Sequence, residues 1–257
     1  IRDYHAKNRW LSIPEIFIYS SNIGSVKMAL DVGRIYQKKF FERLGLLNKP
    51  QIELGEVGKP IVPEPWNDIH TMTISYGHGI AISPLQLVAG VAAMVNGGVL
   101  YSPTLFKKTG LVIGKRVVSE ETSEKIRRLL KLVVSHGTGS LAGAKGYLVG
   151  GKTGTAEKVV GRKYKRQALL SSFIAAFPIN APKYLVFVMI DNPKAIKGMG
   201  HRPTGGRVAA PIVGEVISRI GPILGVKAIN KNDPSIQEQM TMRVLTMKSG
   251  EKRLVSF

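Results

Sequence analysis

Cysteine is absent from this chain, so disulfides, thiolate zinc sites and cysteine nucleophiles are excluded, while the redox compartment stays open. Histidine is sparse: five residues, at positions 5, 70, 78, 136 and 201, show no H-x-H or H-x-x-x-H spacing and make a poor basis for a metal centre. Aromatics amount to 7% of the residues, too few for an evident base-stacking platform. Acidic residues are the minority, 17 against 37 Lys and Arg, which leaves a net charge of +20. That excess raises nucleic acid or an anionic surface as partner. The basic clusters are dispersed, however: Lys38-Lys39, Lys107-Lys108, Arg127-Arg128, Arg162 to Arg166 and Lys248 to Arg253. Only one of them holds an aromatic, Tyr164, and a solvated basic surface accounts for them better than a nucleic-acid site. Long apolar runs are missing too; Tyr184 to Ile190 and Leu87 to Val95 are far too short to span a bilayer. No signal peptide is visible, and a first residue of Ile1 suggests a portion of something longer.

What is present is ordinary globular material: 257 residues, 44% hydrophobic, enough for one sizeable core. Ser12-Ile-Pro-Glu15 has the form of a capping box, predicting a short helix through Tyr19 that breaks at Ser20-Ser21-Asn22. A second helix is expected from Ile23 to Leu30, stopped near Gly33, and a third over residues 34–44, stopped by Gly45. Scattered Pro and Gly from Asn48 to about Met72 read as a long loop. Ser83-Pro-Leu-Gln86 is a second capping box, and the helix it opens, residues 84–95, is apolar nearly all round and therefore expected in the core. A helix over about 120–135 has Glu120 and Glu121 in its first turn and basic residues later, matching its dipole. The period then changes. Tyr147 to Val149, Thr155 to Val160, Leu169 to Phe177 and Tyr184 to Asp191 read as successive antiparallel strands, with turns at Gly161-Arg162 and Asn180 to Pro182. A last helix, about Arg207 to Ile220, carries an apolar stripe at 208, 212, 213, 216, 217 and 220. Helices, then an antiparallel sheet, then a closing helix make an α+β fold. Residues 227–257 turn polar and read as a loosely held tail.

Two short motifs carry chemistry. Ser20-x-Asn22 falls at a helix-to-helix junction, where small polar side chains can point into a cleft; alone, such a tripeptide is more often a helix stop. Gly146 and Gly151-Lys152-Thr153 satisfy G-x-x-x-x-G-K-T formally, but a phosphate loop needs a helix opening at the Lys-Thr, and the residues that follow are strand-like. A strand that begins Lys152-Thr153-Gly154-Thr155 makes different sense. An edge strand offers its backbone to an extended ligand, Gly154 allows close approach, and the lysine and threonines face an anionic group. Ser-x-Asn paired with Lys-Thr-Gly is two of the three signatures, S-x-x-K, S-x-N and K-T-G, of penicillin-recognising acyl transferases.

The resemblance extends to longer stretches. LSIPEIFIYSSNIGSVKMAL, TISYGHGIAISPLQL, GTGSLAGAKGYLVGGKTGTAEK and YLVFVMIDNP resemble successive segments of a class B penicillin-binding protein, over about residues 1–226. The similarity is to the septal type, the peptidoglycan D,D-transpeptidase of cell division in bacteria with an outer membrane; elongation-type relatives usually have Asp where Asn22 stands. The resemblance implies the α+β transpeptidase fold over 1–226, its N-terminal part missing, with 227–257 as a polar tail. It implies no cofactor, stem peptides and β-lactams as ligands, and other division and septal glycan-synthesis proteins as partners. It also implies a place on the periplasmic face of the inner membrane at the division site, with the anchor outside this chain.

By motif match, Ser20 relays a proton to the leaving amine and Asn22 holds the substrate amide and the catalytic lysine. Lys152 supplies positive potential. The Thr153 and Thr155 hydroxyls bind the substrate carboxylate, with the Thr155 N–H as half of an oxyanion hole and Gly154 between them. Ser21 is expected as a spacer and His78 in a structural role. Gly205-Gly206, before the last helix, lies where the family's cleft wall is expected. The third signature is not found in usable form. The single S-x-x-K match, Ser249-Gly-Glu-Lys252, sits in the polar tail with nothing to bury its lysine, so no nucleophile is assigned in this chain and the chain alone is expected to be inactive. The alternative is a non-catalytic fragment or pseudo-enzyme that binds peptidoglycan peptide or a division partner.

Overall fold

A computed structural model describes residues 1–160, 163–195, 202–242 and 244 of the chain. The contacts divide it into two compact units: residues 1–24 with 127–257, and residues 25–126.

The first unit is built on an antiparallel sheet ordered β3-β4-β5, with β3 (Gly150–Val160) at its edge, β4 (Lys163–Phe177) central and β5 (Tyr184–Asp191) beyond. Lys152 pairs with Ile174, Thr153 with Phe173, Gly154 with Ser172 and Thr155 with Ser171, before a register shift between Glu157 and Lys158. Helix α7 (Gly205–Ile223) packs on this sheet through Ala209, Ala210, Val213 and Ile217, all fully buried, against Phe173, Ala175 and Phe177. The expected stripe is thus present but rotated: Ile212 is exposed, and small residues line the contact, because a helix seated closely on a sheet has room for Ala and Gly where the apolar pattern suggested larger side chains. The short helix α1 (Ile13–Tyr19) begins as the sequence predicts. The Glu15 carboxylate accepts from the Ser12 N–H and hydroxyl at 3.0 and 3.1 Å and from Arg9 at 2.6 and 3.0 Å. Burial would raise the Glu15 pKa, but these donors outweigh it and hold the carboxyl below its ordinary value.

Two expectations for this unit are corrected. Tyr147 to Val149 is not a strand: Leu148 and Val149 are buried, the Tyr147 ring meets Phe177 edge-on at 6.0 Å, and the strand starts at Gly150. Tyr147 makes an isolated bridge to Ala144 rather than a ladder, and buried apolar residues imitate strand patterning. Residues 227–242 are also held down: the Ile229 N–H donates to the Gly146 carbonyl at 2.8 Å, and α8 (Pro234–Met240) is capped by Asp233. Arg128 donates to the Gln239 carbonyl at 2.9 Å, and Met240 is buried. One apolar anchor in a polar stretch escapes a compositional reading. The Gly161-Arg162 turn and the Ser249–Lys252 match lie outside the described residues.

The second unit holds most of α2 (Asn22–Val32), then α3 (Arg34–Arg43), α4 (Asp68–Ser75), α5 (Pro84–Val95), the short pair β1 (Val99–Leu100) and β2 (Lys115–Arg116), and the start of α6 (Glu120–His136). Its core gathers Leu44, Leu46, Ala93 and Val117 with Phe40, Phe41 and Leu100 around them. The capping box at Ser83 forms, and the buried Gln86 amide also donates to the Gly45 and Asn48 carbonyls at 3.1 and 2.8 Å, pinning the turn after α3. Burial on α5 is complete at Gln86, Gly90 and Ala93 on one face and at Val95 on the other, with most of its other residues half-buried, short of the all-round burial its composition predicts. The expected loop from Asn48 ends early: α4 begins at Asp68, capped by Asn67, whose side chain accepts from the His70 N–H. His78 stands in this unit, its N–H bonded to the Thr73 carbonyl.

Candidate active site

All of the residues singled out in the two motifs belong to the first unit, so their mutual geometry is defined within it. Ser20 is the C-cap of α1 in a left-handed conformation (φ 54°, ψ 52°), and its N–H donates to the last carbonyls of the helix. That turn leaves Ser20 exposed. Ser21, expected as a spacer, is buried and structural. Its hydroxyl accepts from the Gly24 N–H at 2.9 Å, capping α2, and donates to Asp3 at 2.8 Å. A serine followed three residues later by a free first-turn N–H is a signal the sequence carried. Asn22 opens α2 and donates through its side-chain NH2 to the Arg2 carbonyl at 3.0 Å.

Opposite stands the edge strand. Lys152 Nζ donates to Ser20 Oγ at 2.7 Å, across 132 residues of sequence, and also to the Thr153 carbonyl at 3.3 Å. Burial pushes the Lys152 ammonium down from its ordinary 10.5 to about 8. It is still mostly protonated at neutral pH, and among the described residues its hydrogen bonds run to Ser20 and Thr153 rather than to a carboxylate. Lys152 places a positive charge on a serine hydroxyl, which accepts from the lysine and keeps its own proton for another partner.

The threonines flank the same strand. Thr155 Oγ1 accepts from the Gly205 N–H, the start of α7, at 3.0 Å, so its hydroxyl proton is free to be donated elsewhere. Thr153 Oγ1 lies 3.0 Å from Thr138 Oγ1. The helix start adds the positive end of its dipole to the Lys152 charge. Gly205 is required by packing against backbone, whereas at Gly154 an added Cβ would displace only the Ser172 hydroxyl. A Cβ on Gly154 would come within 2.5 Å of Ser172 Oγ, and one on Gly205 within 2.2 Å of the Ser172 carbonyl and 2.4 Å of the Gly154 carbonyl. The phosphate-loop reading is excluded, because Gly151-Lys152-Thr153 runs inside β3 and opens no helix. Among the described residues no cluster of His, Cys, Asp or Glu could hold a metal ion, and no helix is long and apolar enough to cross a membrane.

Residues 1–218 match the family described as penicillin binding protein transpeptidase domain. The chain is 40% identical over 238 residues to a probable peptidoglycan D,D-transpeptidase FtsI of Caulobacter vibrioides, covering 88% of this chain and 40% of that protein. It is 39% identical over 227 residues to stage V sporulation protein D of Bacillus subtilis, covering 83% and 34%. Among solved structures, the transpeptidase domain of Burkholderia pseudomallei penicillin-binding protein 3, without ligand, superposes with a TM-score of 0.78 at 32% identity, over 86% of this chain and 66% of that one. The chain thus spans about two fifths or less of the two full-length relatives. An antiparallel sheet with a closing helix, a Ser-x-Asn turn facing a Lys-Thr-Gly strand and a match over most of the sequence agree: this chain belongs to the transpeptidase domain family of the class B penicillin-binding proteins.

Proposed function

We propose that this chain supplies two walls of a peptidoglycan D,D-transpeptidase site of the septal, cell-division type, acting on the periplasmic face of the inner membrane. The observation that carries the reading is the 2.7 Å contact from Lys152 Nζ to Ser20 Oγ, which joins the two motifs in one groove. In the proposed reaction a serine Oγ attacks the carbonyl between the two D-Ala residues of a stem peptide. A new ester C–O bond forms, the amide C–N bond breaks, and D-Ala leaves. Ser20, polarised by Lys152, hands its proton to the departing nitrogen; it is reprotonated by the lysine that took the proton of the nucleophile. An amine of a neighbouring stem then takes the acyl group and restores the serine. Asn22 leaves the Arg2 carbonyl to hold the substrate amide. The carboxylate of the terminal D-Ala binds Thr153 and Thr155, and the Thr155 N–H faces the developing oxyanion. β-Lactams enter as mimics of the same acyl donor.

The nucleophile and its base are assigned to an S-x-x-K segment outside these 257 residues. Incubated with labelled penicillin, the chain alone is expected to show no covalent mass increase. Grafted in place of the matching region of the Caulobacter relative, it is expected to restore penicillin acylation, and K152A in the graft to slow it by at least about 100-fold. A folded graft that is not acylated, or a penicilloyl adduct on the chain alone, would sink the assignment.

A further inference from the structure

The Gly137-Thr138-Gly139 turn lies between α6 and the short helical turn Ser140–Ala142. Its two glycines are sterically compelled. A Cβ on Gly137 would fall 2.5 Å from the Ile18 carbonyl, and one on Gly139 would fall 2.8 Å from the Phe173 ring. Thr138, between them, is the one residue of the turn with a functional group, and it is exposed.

Its backbone is gripped from two sides. The Thr138 N–H donates to the Ile18 carbonyl, two residues before Ser20, at 3.2 Å. The Thr138 carbonyl fills the space where a Cβ on Gly206 would stand, at 2.3 Å. The turn therefore touches α1, β3 and the start of α7 together, and it presents the Thr138 hydroxyl to Thr153 Oγ1 at 3.0 Å.

Proton direction decides what that contact does. Lys152 can only donate, and its Nζ lies 3.5 Å from Thr153 Oγ1. If Thr138 also donates to Thr153 Oγ1, both lone pairs of that oxygen are engaged and its own proton has to point outward. If Thr153 donates to Thr138 instead, its proton is consumed within the protein. A carboxylate, which only accepts, selects the first arrangement; a neutral amide, which both donates and accepts, selects between them far less.

We propose that Thr138 is a positioning residue that turns the Thr153 hydroxyl into an outward donor and so sets the preference of this groove for ligands ending in a free carboxylate. The inference rests on the carboxylate role proposed for Thr153 and adds a residue, and a direction of donation, to it.

The test is an NMR titration of this chain with N-acetyl-Lys-D-Ala-D-Ala and with its C-terminal amide. The unsubstituted chain is expected to bind the acid more tightly than the amide. T138V is expected to weaken the acid about five- to tenfold while leaving the amide unchanged, the range for one lost hydrogen bond between neutral groups, and T138S is expected to restore it. Thermal melts establish that each variant is folded, and T138A replaces T138V if the valine does not fold. An unchanged acid-to-amide ratio in the folded variant, or equal weakening of both ligands, overturns the positioning role while leaving the carboxylate reading intact. No preference for the acid in the unsubstituted chain overturns the carboxylate reading, and this inference falls with it.

Discussion

Ser20 holds a left-handed backbone that side chains with a Cβ adopt reluctantly, at about 1 kcal/mol or more. S20G and S20A both remove the hydroxyl that Lys152 grips, but only glycine relieves the backbone. S20G is therefore expected to be more stable than S20A by about 1 kcal/mol in urea unfolding; equal stabilities would mean the turn is not strained. Lys152 imposes a cost of a different kind. Its folded pKa of about 8 lies below its ordinary 10.5, so between those values unfolding takes up a proton and stability rises with pH. K152M removes this dependence. It is expected to be more stable than the unsubstituted chain below pH 8, with a lead that shrinks as pH rises towards 10.5. A lead independent of pH in paired denaturation curves would show that the lysine is not depressed. Affinity for a carboxylate ligand should fall over the same window as the positive charge is lost.

At the scale of elements, the seat of α7 on β3 and β4 depends on glycines. A methyl at Gly205 has nowhere to go, since the nearest atoms are the backbone carbonyls of Ser172 and Gly154 rather than flexible side-chain ends. G205A is expected to destabilise by about 3 kcal/mol, whereas at Gly55, where no atom lies within 4 Å of the added Cβ, alanine should be close to neutral. Matching losses in chemical denaturation would refute the close seat. The same elements show what could be read beforehand. Capping boxes at Ser12 and Ser83, the Gly33 and Gly45 stops, and the edge strand with Lys-Thr-Gly-Thr are local signals, and local signals survive in one dimension. Helix α4 was masked by the Pro and Gly that precede it. Tyr147 to Val149 was misread because burial and pairing produce the same apolar pattern. The rotation of the α7 stripe and the place of Thr138 beside Thr153 depend on contacts between segments far apart in the chain, which no local period encodes.

For the whole molecule, the +20 charge is the feature most apt to mislead. Lys38-Lys39 lies on α3 in one unit, and Arg127-Arg128 lies on α6 in the other. The latter pair is employed internally: Arg127 donates to the Asn180 carbonyl at 3.2 Å and Arg128 to the Gln239 carbonyl, tying α6 to the turn after β4 and to α8. Basic residues outside the clusters form ion pairs, Arg9 with Glu15, Lys158 with Asp191 and Arg202 with Glu157. Basic residues engaged in contacts of this kind leave only general attraction for a polyanion, so binding should be nonspecific and governed by counterion release. A labelled DNA duplex is expected to be retained at low salt and released by about 0.2 M salt, in fluorescence anisotropy, with a random sequence and any chosen sequence indistinguishable. Sequence-dependent binding that persists above that ionic strength would require base-specific contacts and would refute this reading.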